Sequence, residues 1–170
     1  MYYYYPFIPA PHAYPMHRNS RQINRGTNIP YVPIFGDQSQ SEIRDHVYQS
    51  IVDEATAAEF YTRLLNETPD DLHHEFVEHA RDDELEHLEA LKKLYVYLTG
   101  NQTEYEIEPI QYDTYKDGIL MALHGELEAA EFYRDVQLST TDQVVKDTFF
   151  FAMVDELEHA TQFGVLYSTL

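Results

Sequence analysis

Two segments of the chain, residues 41–98 and 113–170, are copies of one pattern, and this internal repeat limits the fold more than any other feature. Glu54–Tyr61 corresponds to Glu126–Tyr133 with two differences, and the run Asp83–His87 recurs unchanged 72 residues later. A repeat of this length is expected to form one supersecondary unit per copy. The two units can face each other across a pseudo-twofold axis, which would place equivalent residues opposite one another.

Apolar residues in both copies recur at steps of three and four, the spacing of one face of an α-helix. We therefore predict a helical hairpin in each copy, with helices at about 41–66, 68–98, 113–138 and 140–167. Thr68 before Pro69 predicts the start of the second helix, and Gly100 its end. Thr140 and Gln143 match a capping box at the start of the fourth helix.

The linker between the two copies, residues 101–111, is long enough for a full-length crossover. An extended linker of about 12 residues spans up to ~40 Å, which is close to the length of a long helix. The second and third helices can therefore run parallel. This predicts an all-α four-helix bundle with a long crossover between helices 2 and 3, unlike a simple up-and-down bundle.

Composition excludes several classes of protein. The chain has 170 residues, no Cys, and a formal charge of -19, so a nucleic-acid partner is not expected. Without Cys there can be no disulfide scaffold, thiolate zinc site, iron–sulfur cluster or cysteine nucleophile. We see no signal peptide and no apolar run of the ~18 residues that a membrane span requires. We expect a soluble, cytoplasmic protein without a membrane partner, whose metal chemistry, if any, uses Asp, Glu and His.

Residues 1–36 differ from the rest of the chain, since they hold six of the eight prolines, six tyrosines, three Arg and no acidic residue. Proline removes backbone donors, and no periodicity is visible. We expect an extended or disordered arm over residues 1–38 and a four-helix domain over residues 39–170. The arm could pack loosely on its own domain or on a neighbour, or it could offer tyrosines for stacking or cross-linking in an assembly.

Polar side chains interrupt the apolar stripe of every helix at mid-height. Each stripe has the steps of a buried face only if one Glu lies within it, and the second and fourth stripes also include a His. The residues are Glu54, Glu84, His87, Glu126, Glu156 and His159. Other acids, such as Glu86 and Glu158, lie off the stripe and are expected to be solvated. His73, His74 and His79 flank the stripe, and we expect them at the surface or rim.

Four ionised carboxylates cannot share a dry interior without partners, because burying each charge costs several kcal/mol. Two divalent cations would balance the four negative charges. Glu and His together suit iron, manganese or zinc, whereas calcium and magnesium do not need imidazole. Since Glu and His three residues apart lie on one helix face, both can reach a common metal.

This set of residues resembles that of the ferritin-like di-iron carboxylate proteins, most closely the rubrerythrin-type di-iron domain, over residues 40–170. The resemblance implies that Glu84 and Glu156 bridge two metals, that Glu54 and Glu126 are terminal ligands, and that each His serves one metal. It implies two iron ions per chain, with manganese possible. Tyr61 and Tyr133 resemble tyrosines found beside such ligands and are candidate catalytic residues, or else core residues with a satisfied hydroxyl.

Two departures from the family bear on function. Without Cys there is no rubredoxin-type iron centre, so electrons must come from an external donor or from Fe(II) itself. Rubrerythrins carry an extra carboxylate three residues after the third-helix ligand, where Ala129 stands here. Because alanine cannot act as a ligand, efficient peroxidase turnover is not expected from this site.

The resemblance implies a rubrerythrin-like oxidoreductase acting on peroxide, O₂ or Fe(II), as a homodimer or larger homo-oligomer. Three alternatives stay open at this point. The chain could be an iron-storage protein that assembles into a cage, a manganese catalase-like enzyme that dismutates peroxide, or a structural protein that assembles through its tyrosine-rich arm.

Overall fold

Four long helices make up most of residues 38–170, the part of the chain that the computed structural model describes. The helices are α1 (Gln40–Leu65), α2 (Asp71–Thr99), α3 (Tyr115–Leu138) and α4 (Gln143–Thr169). Each prediction of a helix is confirmed, with bounds that differ by at most three residues. The predicted N-terminal arm lies outside the described residues, apart from its last residue. None of the described helices has an apolar stretch sufficient to cross a bilayer.

Aspartates rather than threonines cap two of the helices, so the predicted caps at Thr68 and Thr140 are wrong. Asp70 accepts from the backbone N–H of His73 at the start of α2, and Asp142 accepts from two backbone N–H groups at the start of α4. An ionised carboxylate interacts more favourably than a hydroxyl with the positive end of the helix dipole. Thr68 instead donates to the carbonyl of Leu65, which closes α1.

Two other helix ends are explained by local chemistry. Ser39 and Glu42 form a capping box at the start of α1, with the Ser39 backbone N–H 2.8 Å from the Glu42 carboxylate. Gly100 ends α2 as predicted, with a φ of 73°. A residue with a β-carbon rarely adopts this left-handed conformation.

Contacts at the two ends of the bundle establish the relative directions of α2, α3 and α4. At one end, the imidazole of His73 in α2 lies 3.0 Å from the hydroxyl of Tyr115 in α3 and 3.0 Å from that of Thr169 in α4. At the other end, Tyr97 near the end of α2 donates to Asp142 at the start of α4. Helices α2 and α3 therefore run parallel, and the predicted long crossover is confirmed.

The crossover, residues 100–114, lies along the outside of the first hairpin. Tyr105 packs near the end of α2, where the ammonium of Lys92 lies 5.3 Å from its ring centroid. Farther along, Arg63 of α1 donates to the carbonyl of Ile110 and stacks over the ring of Tyr112. Arg63 also pairs with Glu59 at 2.8 Å. These contacts attach the linker to the hairpin over most of its length.

Two apolar clusters fill the interior, one towards each end of the bundle. The first is centred on Val47, Leu91 and Phe149, and the second on Phe60, Ile119 and Phe163. In the bundle, α1 packs on α2 and α3 on α4, while α2 also contacts α4 and α1 contacts α3. The clusters leave the middle of the bundle to polar side chains.

His73 is buried, with 1% of its surface exposed, so the prediction of a surface or rim position is wrong for this residue. Both of its ring nitrogens have hydroxyl partners, so burial leaves neither nitrogen without a hydrogen bond. His74 and His79 are exposed, as predicted.

The free energies of unfolding of two variants, at Asp70 and at Thr68, test which residue caps α2. Replacing Asp70 by Ala removes the acceptor at the start of α2 and should lower the free energy of unfolding by about 1 kcal/mol. Thr68→Ala removes a hydroxyl that does not cap α2 and should have a smaller effect. Urea unfolding of both variants measures the difference; a larger loss in Thr68→Ala would restore the sequence-based assignment of the cap.

Candidate metal centre

The six polar side chains predicted on the helix stripes meet at mid-height in the bundle. Their neighbours on each helix belong to the two apolar clusters, so packing of the clusters turns them inward. All six are at most 2% exposed: Glu54 from α1, Glu84 and His87 from α2, Glu126 from α3, and Glu156 and His159 from α4.

The six residues form two overlapping groups, in each of which ligand atoms lie within 4.8 Å of one another. One group adds Glu54 and His87 to a shared pair of carboxylates, and the other adds Glu126 and His159 to the same pair. The shared carboxylates are those of Glu84 and Glu156. The arrangement has the pseudo-twofold symmetry that the repeat predicts.

Each histidine directs its Nδ1 atom into the centre. The Nδ1 of His87 lies 3.2 Å from Glu156 and 3.5 Å from Glu54. The Nδ1 of His159 lies 3.5 Å from Glu156 and 3.8 Å from Glu126. Both imidazoles therefore face the carboxylates with the same ring atom.

The opposite ring nitrogen of each histidine contacts an aspartate on the facing helix. The Nε2 of His87 lies 3.1 Å from the carboxylate of Asp155, and that of His159 lies 3.0 Å from Asp83. A carboxylate that accepts from Nε2–H fixes the ring and leaves Nδ1 free to bind a cation.

Sequence reasoning assigned no role to these two aspartates, because Asp83 and Asp155 lie one residue outside the buried stripe. A signal was present nevertheless. Both copies of the repeat have Asp immediately before the helix 2 and helix 4 glutamates, and residues facing each other across a pseudo-twofold axis can form reciprocal pairs.

Tyr61 and Tyr133 also reach across the bundle. The hydroxyl of Tyr61 donates to Glu126, and that of Tyr133 donates to Glu54. Both tyrosines are buried. Each hydroxyl occupies one oxygen of a terminal glutamate and leaves the other oxygen turned towards the centre.

The inner atoms of the centre form no hydrogen bond within residues 38–170. These atoms are Glu54 Oε2, Glu84 Oε1, both carboxylate oxygens of Glu156, and the Nδ1 atoms of His87 and His159. A buried polar atom without a hydrogen bond costs about 1–3 kcal/mol. The unpartnered atoms lie together and are all possible metal ligands, so the residues present fit a pair of divalent cations.

Burial, repulsion between the glutamates and contacts between glutamates and imidazoles together determine the pKa values of the centre without cations. Burial, reinforced by the charges of neighbouring glutamates, raises the pKa of Glu54 and Glu126 well above its ordinary value. Burial lowers the pKa of His87 and His159, but their contacts with the glutamates reverse this effect and raise it. Protons thus neutralise the centre when cations are absent, and cation binding must displace them.

Burial also raises the pKa of Tyr61 and Tyr133, an effect that the glutamate charges increase. The two hydroxyls therefore stay protonated at neutral pH and act as hydrogen-bond donors.

Comparison with solved structures finds a similar fold in the crystal structure of a two-domain protein from Anabaena variabilis, which contains DJ-1/ThiJ/PfpI-like and ferritin-like domains. The TM-score is 0.63 at 14% sequence identity, and the match covers 79% of this chain and 38% of that one. At this identity the likeness shows the fold alone, an all-α ferritin-like bundle. No protein-family model and no curated protein matches the sequence.

The pKa shifts predict how stability depends on pH without metal. The raised pKa values of the two terminal glutamates and both histidines stabilise the fold at low pH, and this contribution is lost as pH rises. Between pH 6 and 8 the free energy of unfolding should fall by more than ~1 kcal/mol in the presence of a chelator. Urea unfolding measures the slope.

Glu54→Gln combined with Glu126→Gln removes two of the titrating groups and should flatten this slope. An unchanged slope in the double variant would show that the pH dependence arises elsewhere in the chain.

Proposed function

We propose that this protein binds two iron ions per chain, with manganese as the alternative metal, and acts as a rubrerythrin-like oxidoreductase on peroxide, O₂ or Fe(II). The observation that carries the proposal is the pair of overlapping groups that share Glu84 and Glu156 inside the bundle. Buried groups of this kind can hold metal ions, and the ferritin-like fold is consistent with that use.

The geometry suggests a role for each ligand. Glu84 and Glu156 would bridge the two ions, since each belongs to both groups. Glu54 and His87 would hold one ion, and Glu126 and His159 the other. Two divalent cations would balance the four carboxylates and so remove the free-energy cost of burying uncompensated negative charge.

The chain's own residues would orient and protect the centre. Bound iron would supply the redox chemistry, one electron from each Fe(II). Asp83 and Asp155 hold the imidazoles in place, and Tyr61 and Tyr133 fix the terminal carboxylates. The buried ring of Phe163, whose centroid lies 5.1 Å from that of Tyr61, would help to exclude water from the centre.

Fe(II) oxidation is the reaction that one observation favours over peroxide reduction. Ala129, where rubrerythrins have a further carboxylate, packs against the first apolar cluster and offers no ligand. The centre therefore relies on four carboxylates. Because the chain contains no Cys, a peroxidase reaction would require an external electron donor, whereas Fe(II) oxidation would not.

Metal analysis tests the ligand assignment. Protein purified without chelator should contain about two ions per chain, and Glu84→Ala or Glu156→Ala should remove most of them because each residue belongs to both groups. Glu86→Ala and Glu158→Ala change exposed residues on the same helices and are matched controls. Equal metal loss from both pairs of variants would contradict the assignment.

Reaction assays separate the candidate functions. Consumption of O₂ with added Fe(II) supports Fe(II) oxidation, and consumption of peroxide that depends on a reductant supports a peroxidase. Release of O₂ from peroxide without reductant indicates a manganese catalase-like activity. A large cage with many ions per chain in size-exclusion chromatography would indicate iron storage.

A further inference from the structure

The outer side of α4 is apolar along most of its length. We call this surface the α4 face. Large exposed patches of this kind on soluble domains mark surfaces that bind another chain or segment. The α4 face consists of six side chains, each 44–51% exposed: Val144, Phe150, Phe151, Val154, Leu157 and Val165.

The internal repeat shows that the bundle itself does not require this apolar surface. Helix α2 is the counterpart of α4, 72 residues earlier, and the six equivalent positions in α2 are also exposed. Two of them are leucines, and the other four are polar or charged: Glu78, His79, Asp82 and Lys93. A helix in the equivalent place therefore tolerates charge, and the apolar character of the α4 face points to an occupant from outside residues 38–170.

A segment of the same chain has the chemistry to be that occupant. Residues 29–35 read Ile-Pro-Tyr-Val-Pro-Ile-Phe and contain no charged side chain. Their two prolines are three residues apart, and a similar pattern, Pro-Phe-Ile-Pro, occurs at residues 6–9. Proline-rich segments of this kind bind aromatic-lined surfaces, because proline leaves them little conformational freedom to lose.

The position of Gln38 places residues 29–35 within reach of the α4 face. The backbone N–H of Gln38 donates to the carbonyl of Ser139 at 2.9 Å, three residues before the α4 cap at Asp142. The seven residues from Tyr31 to Gln38 can span up to ~25 Å, whereas Phe150 lies about 12 Å along the helix from Asp142. Such a short connection also gives the segment a high effective concentration at α4.

Charge favours this segment over a second copy of the bundle. Residues 1–36 contain three Arg and no acidic residue, whereas the whole chain has a formal charge of -19. Exposed acids, Asp147 and Glu158, lie on the same side of α4 as the apolar residues. Pairing of two bundles through this face would bring two strongly acidic surfaces together, and the basic N-terminal region would not meet that repulsion.

We propose that residues 29–35 dock on the α4 face of their own chain. The docked segment covers the exposed rings of Phe150 and Phe151. Since the ring of Phe151 lies 5.3 Å from that of His87, the covered surface extends to the outside of the candidate metal centre. This inference goes beyond the proposed function and does not depend on metal binding.

Proteolysis of the full chain tests the docking. The double variant Phe150→Glu, Val154→Asp gives α4 the residues found at the equivalent positions of α2. Chymotrypsin should cleave after Tyr31 and Phe35 about tenfold faster in this variant than in the wild type, because it loses the burial of large apolar side chains. Leu85→Glu introduces a charge at an exposed leucine of α2 and is the matched control. Equal cleavage rates in the wild type and the double variant would overturn the proposal.

A variant of the segment keeps the test valid if the substitutions in α4 disturb folding. Val32→Asp combined with Ile34→Asp leaves the bundle unchanged and should bind more of a hydrophobic dye than the wild type, since the α4 face becomes uncovered. Circular dichroism verifies that the helices form in every variant. Unchanged dye binding in a folded protein would show that residues 29–35 do not cover an apolar surface.

A spin label locates the docked segment. The chain contains no Cys, so a label on Asp147→Cys is unique. It should broaden the NMR signals of residues 29–35, and more strongly than a label on Lys93→Cys. Both positions are exposed and lie at similar heights, as the contact between Tyr97 and Asp142 shows. Equal broadening from both labels would overturn the assignment to α4.

The mass in solution and the effect of concentration identify other occupants. Protection of Tyr31 that rises with protein concentration would mean that two chains exchange their segments, and would overturn docking within one chain. A dimer that Phe150→Glu, Val154→Asp converts to a monomer, with unchanged cleavage at Tyr31, would identify a second copy as the occupant. Each measurement is made without added metal, so its failure would leave the proposed function unaffected.

Discussion

The burial of four carboxylates at the centre of a narrow helical bundle is the constraint on which the rest of the structure depends. Each carboxylate would lose several kcal/mol of hydration if it stayed ionised and unpaired. Two imidazoles and two tyrosine hydroxyls contact the glutamates and offset part of this loss. Two aspartates in turn contact the imidazoles. Within residues 38–170 the inner atoms form no hydrogen bonds, and divalent cations are the groups that best satisfy them.

Supporting contacts cross from one hairpin to the other. Tyr61 and Asp83 of the first hairpin hold Glu126 and His159 of the second, and the equivalent residues of the second hairpin hold Glu54 and His87 of the first. Neither hairpin can therefore orient its own ligands. The geometry of the centre therefore depends on how the two hairpins pack against each other. A small shift of one hairpin would change the position of ligands on both.

Sequence periodicity was sufficient to predict the four helices and the convergence of Glu54, Glu84 and their counterparts, because a stripe that continues past a glutamate must turn it inward. It was insufficient where neighbouring residues compete for one role, as Asp70 and Thr68 do for the cap of α2. It also missed Asp83, whose importance arises from a facing helix, and His73, whose burial depends on hydroxyls distant in the chain.

The crossover that joins the hairpins has a consequence for how such a centre can evolve. Two identical hairpins in a homodimer would share one coding sequence, so every substitution would appear on both sides of the axis. Fusion through residues 100–114 removes that restriction and keeps the halves at a high effective concentration. The two halves can then differ, as they do where His79 of the first copy corresponds to Phe151 of the second, and each half of a duplicated site is free to specialise.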